Sequence, residues 1–226
     1  MGEFSGQVTK VQLEAGGSVG AWIACPTGAI PQPGQYVLAA DHEAVLATPV
    51  FASDSTSDGF LAAPPVPKSW GPGSSLQMRG PLGHGFSLPG AGKRLALVAV
   101  GNTVLRLMQI AVSLLRKDAE IALFTDAPPG PLPNTIEVNP LQMLPDALTW
   151  PDFLALDLPL ESMPNLRQIF GLSQGRRLPC PAQALIFSPM PCGNLADCGA
   201  CALRGRRSWK LACKDGPVFN LNELEW

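Results

Sequence analysis

Charge is scarce in this chain of 226 residues: Asp, Glu, Lys and Arg together make up 15% of it, against about 25% in an average domain. The formal net charge is only −2, so no basic excess points to nucleic acid as the ligand. Histidine is scarcer still. His42 and His84 are the only two, and both lie far from the cysteines in sequence, which argues against a mixed Cys/His metal site. Long apolar runs are missing as well. The strongest core run, LALVAV at 95–100, falls far short of the roughly 20 residues a membrane span requires. The opening MGEFSGQVTK has neither a basic nor an apolar leader region, so a signal peptide is not expected and the reading is cytoplasmic. No Ser/His/Asp constellation, paired acid–base carboxylates or phosphate-cradling P-loop is present, which leaves hydrolysis and phosphoryl transfer without candidates.

What is present divides into three textures. Hydrophobic residues make up 46% of the chain, and its 23 glycines and 24 prolines are scattered. Such a chain can bury a real core without disulfides, in a loop-rich fold. From the N-terminus to about residue 90, short apolar runs (GQVTKVQLE, GAWIACP, QYVLAA, AVLATPVFA, GFLAAPP, SSLQMRG) alternate with turn residues and predict a small antiparallel barrel or sandwich. From 91 to 188 the pattern changes. A continuous apolar strand at 95–100 leads through Gly101-Asn102-Thr103 into a helical period over 104–117, and EIALFT at 120–125 is again a strand. Further strands are expected at 135–138, 153–158 and 184–188, with a short helix from Ser162 to Gly171. The middle is therefore an α/β domain of about five strands. Residues 189–226 form a compact tail.

That tail holds Cys192, Cys198, Cys201 and Cys213, spaced C-x5-C-x2-C-x11-C. In a reducing compartment, four clustered cysteines point to metal rather than disulfides. The pattern is one residue longer in its first gap than the C-x4-C-x2-C…C of plant-type [2Fe–2S] ferredoxins. The small residues around the cysteines let backbone N–H groups approach inorganic sulfide. A tetrahedral zinc also accepts four thiolates, so spacing alone leaves both metals open. Cys25 and Cys180 stand singly beside prolines and read as packing residues.

Four segments bear on the choice. GPLGHGF at 80–86, PMPCG at 189–193, CGAC at 198–201 and ACKDGPVF at 212–219 resemble the electron-transfer subunit of the two-subunit dihydroorotate dehydrogenases. That resemblance implies a ferredoxin-reductase-like architecture over the whole chain: a flavin-binding β-barrel (1–90), a nicotinamide-binding α/β domain (91–188) and a [2Fe–2S] tail (189–226). It implies that the four cysteines ligate the cluster and that the partner is a flavin-containing catalytic subunit. It also implies FAD and NAD sites, and both are eroded here. Where the family has an Arg-Pro-x-Ser segment for flavin, this chain reads Thr48-Pro49-Val50-Phe51. Where the family has a Gly-Thr loop for the pyrophosphate, it reads PPVPKSWGPGSS at 64–75. The nicotinamide glycine run is reduced to Gly101, flanked by Val100 and Val104. Arg106 follows, as a candidate for a phosphate or as a solvated side chain. The expectation is a cluster-bearing relay that folds as the family does, with FAD left open and NAD bound poorly or not at all. The basic run from Arg204 to Lys210, with Trp209, reads either as a surface that steers an acidic partner or as a solvated hairpin.

Overall fold

Along Ser75–Leu82 every second residue (Leu76, Met78, Gly80, Leu82) is buried and those between face outward, the period-two signature of a strand with one covered face. The computed structural model describes residues 2–90 and 93–226. In it this strand (β6) joins β1 (Gly2–Leu13), β2 (Val19–Ala24), β3 (Tyr36–Ala40), β4 (Thr48–Ser55) and β5 (Gly59–Ala62). The six close antiparallel in the order β1-β2-β5-β4-β3-β6, and closure leaves no unpaired sheet edge. Val8, Ile23, Phe60, Leu76 and Met78 fill the interior. All six expected apolar runs became strands of this barrel. The expected boundary between residues 90 and 91 adjoins residues 91–92, which lie outside the described residues.

The second sheet is built from β7 (Arg94–Ala99), β8 (Glu120–Thr125), β9 (Ile136–Asn139), β10 (Phe153–Pro159) and β11 (Ala182–Phe187), all parallel. Alternation assigns their two faces. Leu95, Leu97, Ile121, Leu123 and Ala155 pack under a helix, α1 (Met108–Leu115), through Leu107, Ile110 and Leu114. Ala96, Val98, Phe124, Leu154 and Leu156 turn to the other side and join a core that continues into the barrel's end and the tail. The helix expected over 104–117 is a 3₁₀ turn at Leu105–Leu107 followed by α1. Asp118, at φ 56°, ends the turns that follow it. The helix expected to start at Ser162 is a 3₁₀ stretch, Leu160–Asn165, and only Leu166–Ile169 is α-helical. Pro164 has no N–H for an α-helical bond, and Gly171, at φ 62°, stops the segment where expected.

One expectation needs correction. The sheet has six strands rather than five, because the tail supplies β14 (Val218–Asn220), which runs antiparallel beside β11. Two short tail strands, β12 (Ala202–Arg204) and β13 (Trp209–Leu211), form a separate hairpin. The sheet order is β14-β11-β10-β7-β8-β9, so the chain reverses direction across the sheet between β10 and β7, where open α/β sheets leave a crevice at their carboxyl ends.

At the floor of that crevice lies a buried ion pair. Asp157, on β10, is fully buried on the helix face, and Arg106 reaches it from the 3₁₀ turn with Nε 2.9 and 3.0 Å from the two carboxylate oxygens. Arg106 Nη1 also donates to the Pro64 carbonyl in the barrel (2.8 Å), and the guanidinium lies 4.4 Å from the Phe187 ring centroid. Arg106 is therefore neither solvated nor free for a phosphate, which corrects both readings of it. Burial pushes the Asp157 carboxyl above the usual carboxylate range, with the guanidinium pulling against it. Removing one member of such a pair strands a buried charge, at about 3–5 kcal/mol, whereas an apolar replacement of both is often neutral. Asp157→Leu should lower unfolding stability in urea by about that amount, and Arg106→Met/Asp157→Leu should recover most of it.

Candidate metal centre

The strand β11 ends at Phe187, and the chain passes through Ser188 and Met190, both buried, to Cys192. The loop beyond it turns tightly. Gly193, Asn194, Ala196 and Gly199 all have φ between 59 and 69°, a left-handed conformation that costs a non-glycine residue energy unless neighbours hold it. At Asn194 and Ala196 that conformation brings successive backbone N–H groups round to one side. The Leu195 N–H donates to the Cys192 carbonyl at 3.3 Å, and the N–H groups of Asp197 and Cys198 help to lower the Cys192 thiol. The N–H of Ala196 acts likewise on Cys213, and the N–H of Cys213 donates to the Cys201 sulfur at 3.5 Å.

The four cysteines lie close enough to affect one another: Cys198 acts on Cys192, and both Cys201 and Cys192 act on Cys213. In chain order Cys192 and Cys198 form one pair and Cys201 and Cys213 the other. The second pair is buried (2% and 1% exposed), whereas Cys198 is exposed and Cys192 half-buried. Cys201 immediately precedes β12, and Cys213 sits in a helical turn, Ala212–Asp215, immediately after β13, so the hairpin closes the second pair. Burial alone would raise both Cys192 and Cys213. At Cys192 the hydrogen bonds from Cys198 and the loop N–H groups outweigh it and bring the thiol to about 6. At Cys213, burial and the neighbouring Cys201 push the thiol up to about 12. Cys25, inside the barrel, is raised to about 11 by burial, and Cys180 is half-buried elsewhere. Neither joins the pairs.

Among the described residues, no three Cys, His, Asp or Glu side chains converge on a single metal position. Four gathered cysteines, one of whose sulfurs accepts a backbone N–H, suit a centre held by thiolates. Four cysteines for two irons is two ligands each, and N–H···S bonds offset the negative charge of thiolate and sulfide. No sequence signal revealed how the loop presents these cysteines, because that depends on the left-handed turns at Asn194 and Ala196.

The barrel holds the tail in place. Tyr36 is fully buried and donates its hydroxyl to the Cys213 carbonyl at 3.1 Å. Burial, with the Cys213 and Cys201 thiols adding to it, pushes its phenol above the ordinary value, which keeps it a donor. Arg79 donates to the Gly193 carbonyl. The His84 N–H donates to the Gly216 carbonyl at 2.6 Å, and its Nδ1 lies 3.1 Å from the Asp215 carbonyl, which can only accept. The GPLGHGF and ACKDGPVF segments are therefore one contact in space.

The nucleotide segments make no comparable site. Thr48-Pro49-Val50-Phe51 opens β4 with Val50 and Phe51 buried, Phe51 against Tyr36 and Phe187. A cleft of about 660 Å³ lies between the barrel and the carboxyl ends of β7 and β10, walled by Pro64, Pro65, Pro67 and Trp70 on one side and Gly101–Thr103 on the other. The cations lining it are Lys68 and Arg106, and Arg106 is already neutralised by Asp157. The prolines offer no N–H, and Val104, next after the lining residues Gly101–Thr103, is buried out of the cleft. These residues do not fit the two phosphates of FAD or NAD.

Residues 188–225 match the family model of the iron–sulfur cluster binding domain of dihydroorotate dehydrogenase B. The match spans all four tail cysteines, and with it the resemblance read from the tail motifs is shown. No curated protein matches the chain by sequence. Among solved structures, the fold is similar to that of an NADH-dependent reduced ferredoxin–NADP oxidoreductase described in connection with flavin-based electron bifurcation. The TM-score is 0.75 at 20% identity, covering 98% of this chain and 90% of that one. It is also similar to the ferredoxin reductase of carbazole 1,9a-dioxygenase (TM-score 0.61, 18% identity, 76% of this chain and 67% of that one). A third match is the ferredoxin–NADP⁺ reductase from Plasmodium falciparum (TM-score 0.55, 11% identity, 77% and 91%). The architecture is ferredoxin-reductase-like, as the three textures implied.

Gly83 is one of the tightest points of the barrel–tail contact. Its φ is 77°, and a Cβ there would stand 2.5 Å from Pro217 Cδ and 2.7 Å from the Gly216 carbonyl. Gly83→Ala should cost about 1–3 kcal/mol in strain. It should also speed hydrogen exchange across 212–219, as measured by mass spectrometry, before it affects the barrel strands.

Proposed function

We propose that this chain is an iron–sulfur electron-transfer subunit whose Cys192, Cys198, Cys201 and Cys213 hold a [2Fe–2S] cluster. The observation that carries the reading is the gathering of four tail cysteines, with the Cys213 N–H donating to the Cys201 sulfur, inside the segment that matches the cluster-binding family. A [2Fe–2S] group supplies one-electron oxidation and reduction at a potential set by its hydrogen bonds and exposure. The chain's own residues set both. The N–H groups of residues 196–198 offset thiolate charge, the buried Cys201–Cys213 side excludes water, and the Cys192–Cys198 side opens to the surface. We propose the division 1–90, 91–188 and 189–226 as barrel, α/β domain and cluster tail. The cytoplasm is the proposed location, supported by six cysteines without a disulfide among them; among the described residues no helix is long and apolar enough to cross a membrane.

The partner we propose is a flavin-containing, dihydroorotate-dehydrogenase-like catalytic subunit, docked on the open side. Leu195 is 65% exposed beside Cys192, and Ala47 lines the same depression. Val45 and Leu46, immediately before it, are 95% and 58% exposed. Exposed apolar groups around a redox site suit an interface whose core excludes charge. The unfit nucleotide cleft favours a chain that carries the cluster without a resident flavin or nicotinamide.

The test is an absorption spectrum of anaerobically purified protein before and after dithionite, with iron, zinc and flavin analysis of the same sample. Visible bands that bleach on reduction, about two irons per chain and no stoichiometric flavin are expected, with iron lost in Cys213→Ala. A releasable flavin would restore the full flavoprotein reading, and a colourless protein holding zinc would overturn electron transfer. With the catalytic subunit co-expressed, Leu195→Asp should release this chain from the complex on gel filtration while leaving its bleachable bands intact.

A further inference from the structure

A relay needs two contacts, one where electrons enter and one where they leave. In a chain without a nicotinamide site, the entry must be another protein. The hairpin between Cys201 and Cys213 has the chemistry for it. Residues 199–214 hold Arg204, Arg206, Arg207, Lys210 and Lys214 and not one Asp or Glu, in a chain whose net charge is −2. Arg204, Arg206 and Arg207 are exposed, and so is Trp209, at 65%. A second basic segment lies beside the first: Arg177 and Arg206 line one cleft of about 500 Å³, and Arg176 adjoins it. Among the described residues, Arg204 alone of this group meets a carboxylate, Glu225 at 3.9 Å, and it also lies 5.5 Å from the Trp209 ring centroid. The remaining positive charge is unspent within the chain.

We infer that this hairpin, with Arg176 and Arg177, is the docking surface for an acidic one-electron carrier protein, separate from the apolar side around Leu195. The inference rests on the proposed cluster reading. The charge is complementary to an acidic partner, and the two strands that carry it lead back to Cys201 and Cys213, so the hairpin joins a carrier bound at its turn to the buried thiols. An exposed tryptophan amid arginines is the composition of an interface anchor. Electrostatic steering of this kind raises association rates and falls with salt. The exchange is a one-electron transfer. The reduced carrier is oxidised by one electron as the centre held by the cysteines is reduced by one, and no bond is made or broken.

The probe is a purified acidic plant-type ferredoxin, with a basic cytochrome c as control. Binding to the full, iron-loaded chain is measured by calorimetry at low and high salt, and iron content by absorption on the same sample. Binding should be salt-sensitive and selective for the ferredoxin. Arg206→Glu/Arg207→Glu should weaken it about tenfold or more while leaving the bleachable bands unchanged. Lys10→Glu/Lys117→Glu makes the same change in net charge on exposed positions elsewhere and should leave binding within about twofold. Absence of ferredoxin binding, equal binding of the cytochrome, or equal losses in the two double variants would overturn the docking site. Because binding and iron are read separately, a chain that binds ferredoxin but carries zinc would sink the cluster reading alone.

Discussion

With only a hydrogen on its α-carbon, Gly83 lets Pro217 and the Gly216 carbonyl approach the barrel more closely than any side chain would permit. The His84 N–H then bonds the same carbonyl, and two residues on β14 enters the sheet beside β11. This contact sets the position of Cys213, four residues upstream of Pro217, and so of the buried thiol pair. Tyr36 and Arg79 reinforce it from neighbouring barrel strands by bonding the carbonyls of Cys213 and Gly193. The metal centre is thus held by backbone groups fixed on a closed barrel and an open sheet, which is the rigidity a relay needs. A loop anchored only by its own cysteines would rearrange whenever its charge changed.

The carboxyl end of the sheet shows the same fold put to a different use. In open α/β sheets the crevice at the strand-order reversal is where ligands bind. Here Asp157 and Arg106 lie at its floor, and the guanidinium ties that end of the sheet to the barrel through Pro64. A buried pair of this kind contributes little net stability against an apolar alternative, but it pins the geometry between the barrel and the sheet because neither charge tolerates losing the other. The cleft beyond it is walled by proline and tryptophan. Among its lining residues only Lys68 offers an unpaired positive charge, which is poor chemistry for a pyrophosphate.

Around the cysteines the surface divides by character. On the Cys192–Cys198 side, Leu195 and the 45–47 loop present apolar groups to solvent. The Cys201 and Cys213 thiols are buried, Cys213 at the floor of a depression that Leu195 and Lys214 also line, and the hairpin between the two cysteines exposes basic residues. An apolar surface favours a long-lived partner, because its burial is what binds. A charged one favours rapid, salt-sensitive encounters.

The strands and the fold class were legible in the sequence because apolar runs of period two, or continuous ones, report burial directly, and EIALFT became β8 residue for residue. The four cysteines were legible as a group from their spacing, and the tail motifs pointed to their family. The Arg106–Asp157 pair was half legible. A lone Asp inside FLALDLP has to find a cation once that strand is buried, yet nothing local says that the cation is an arginine 51 residues earlier. The sixth strand was hidden because Val218–Asn220 is too short to signal a strand by itself and gains its form from β11. The sequence by itself determined which segments are buried and which residues carry the chemistry, since both follow from residue type and period. Only the tertiary structure decided how the barrel holds the tail cysteines, that Arg106 is spent on Asp157, and which charges remain unspent. Those outcomes depend on contacts between residues far apart in the chain, and no local pattern encodes such contacts.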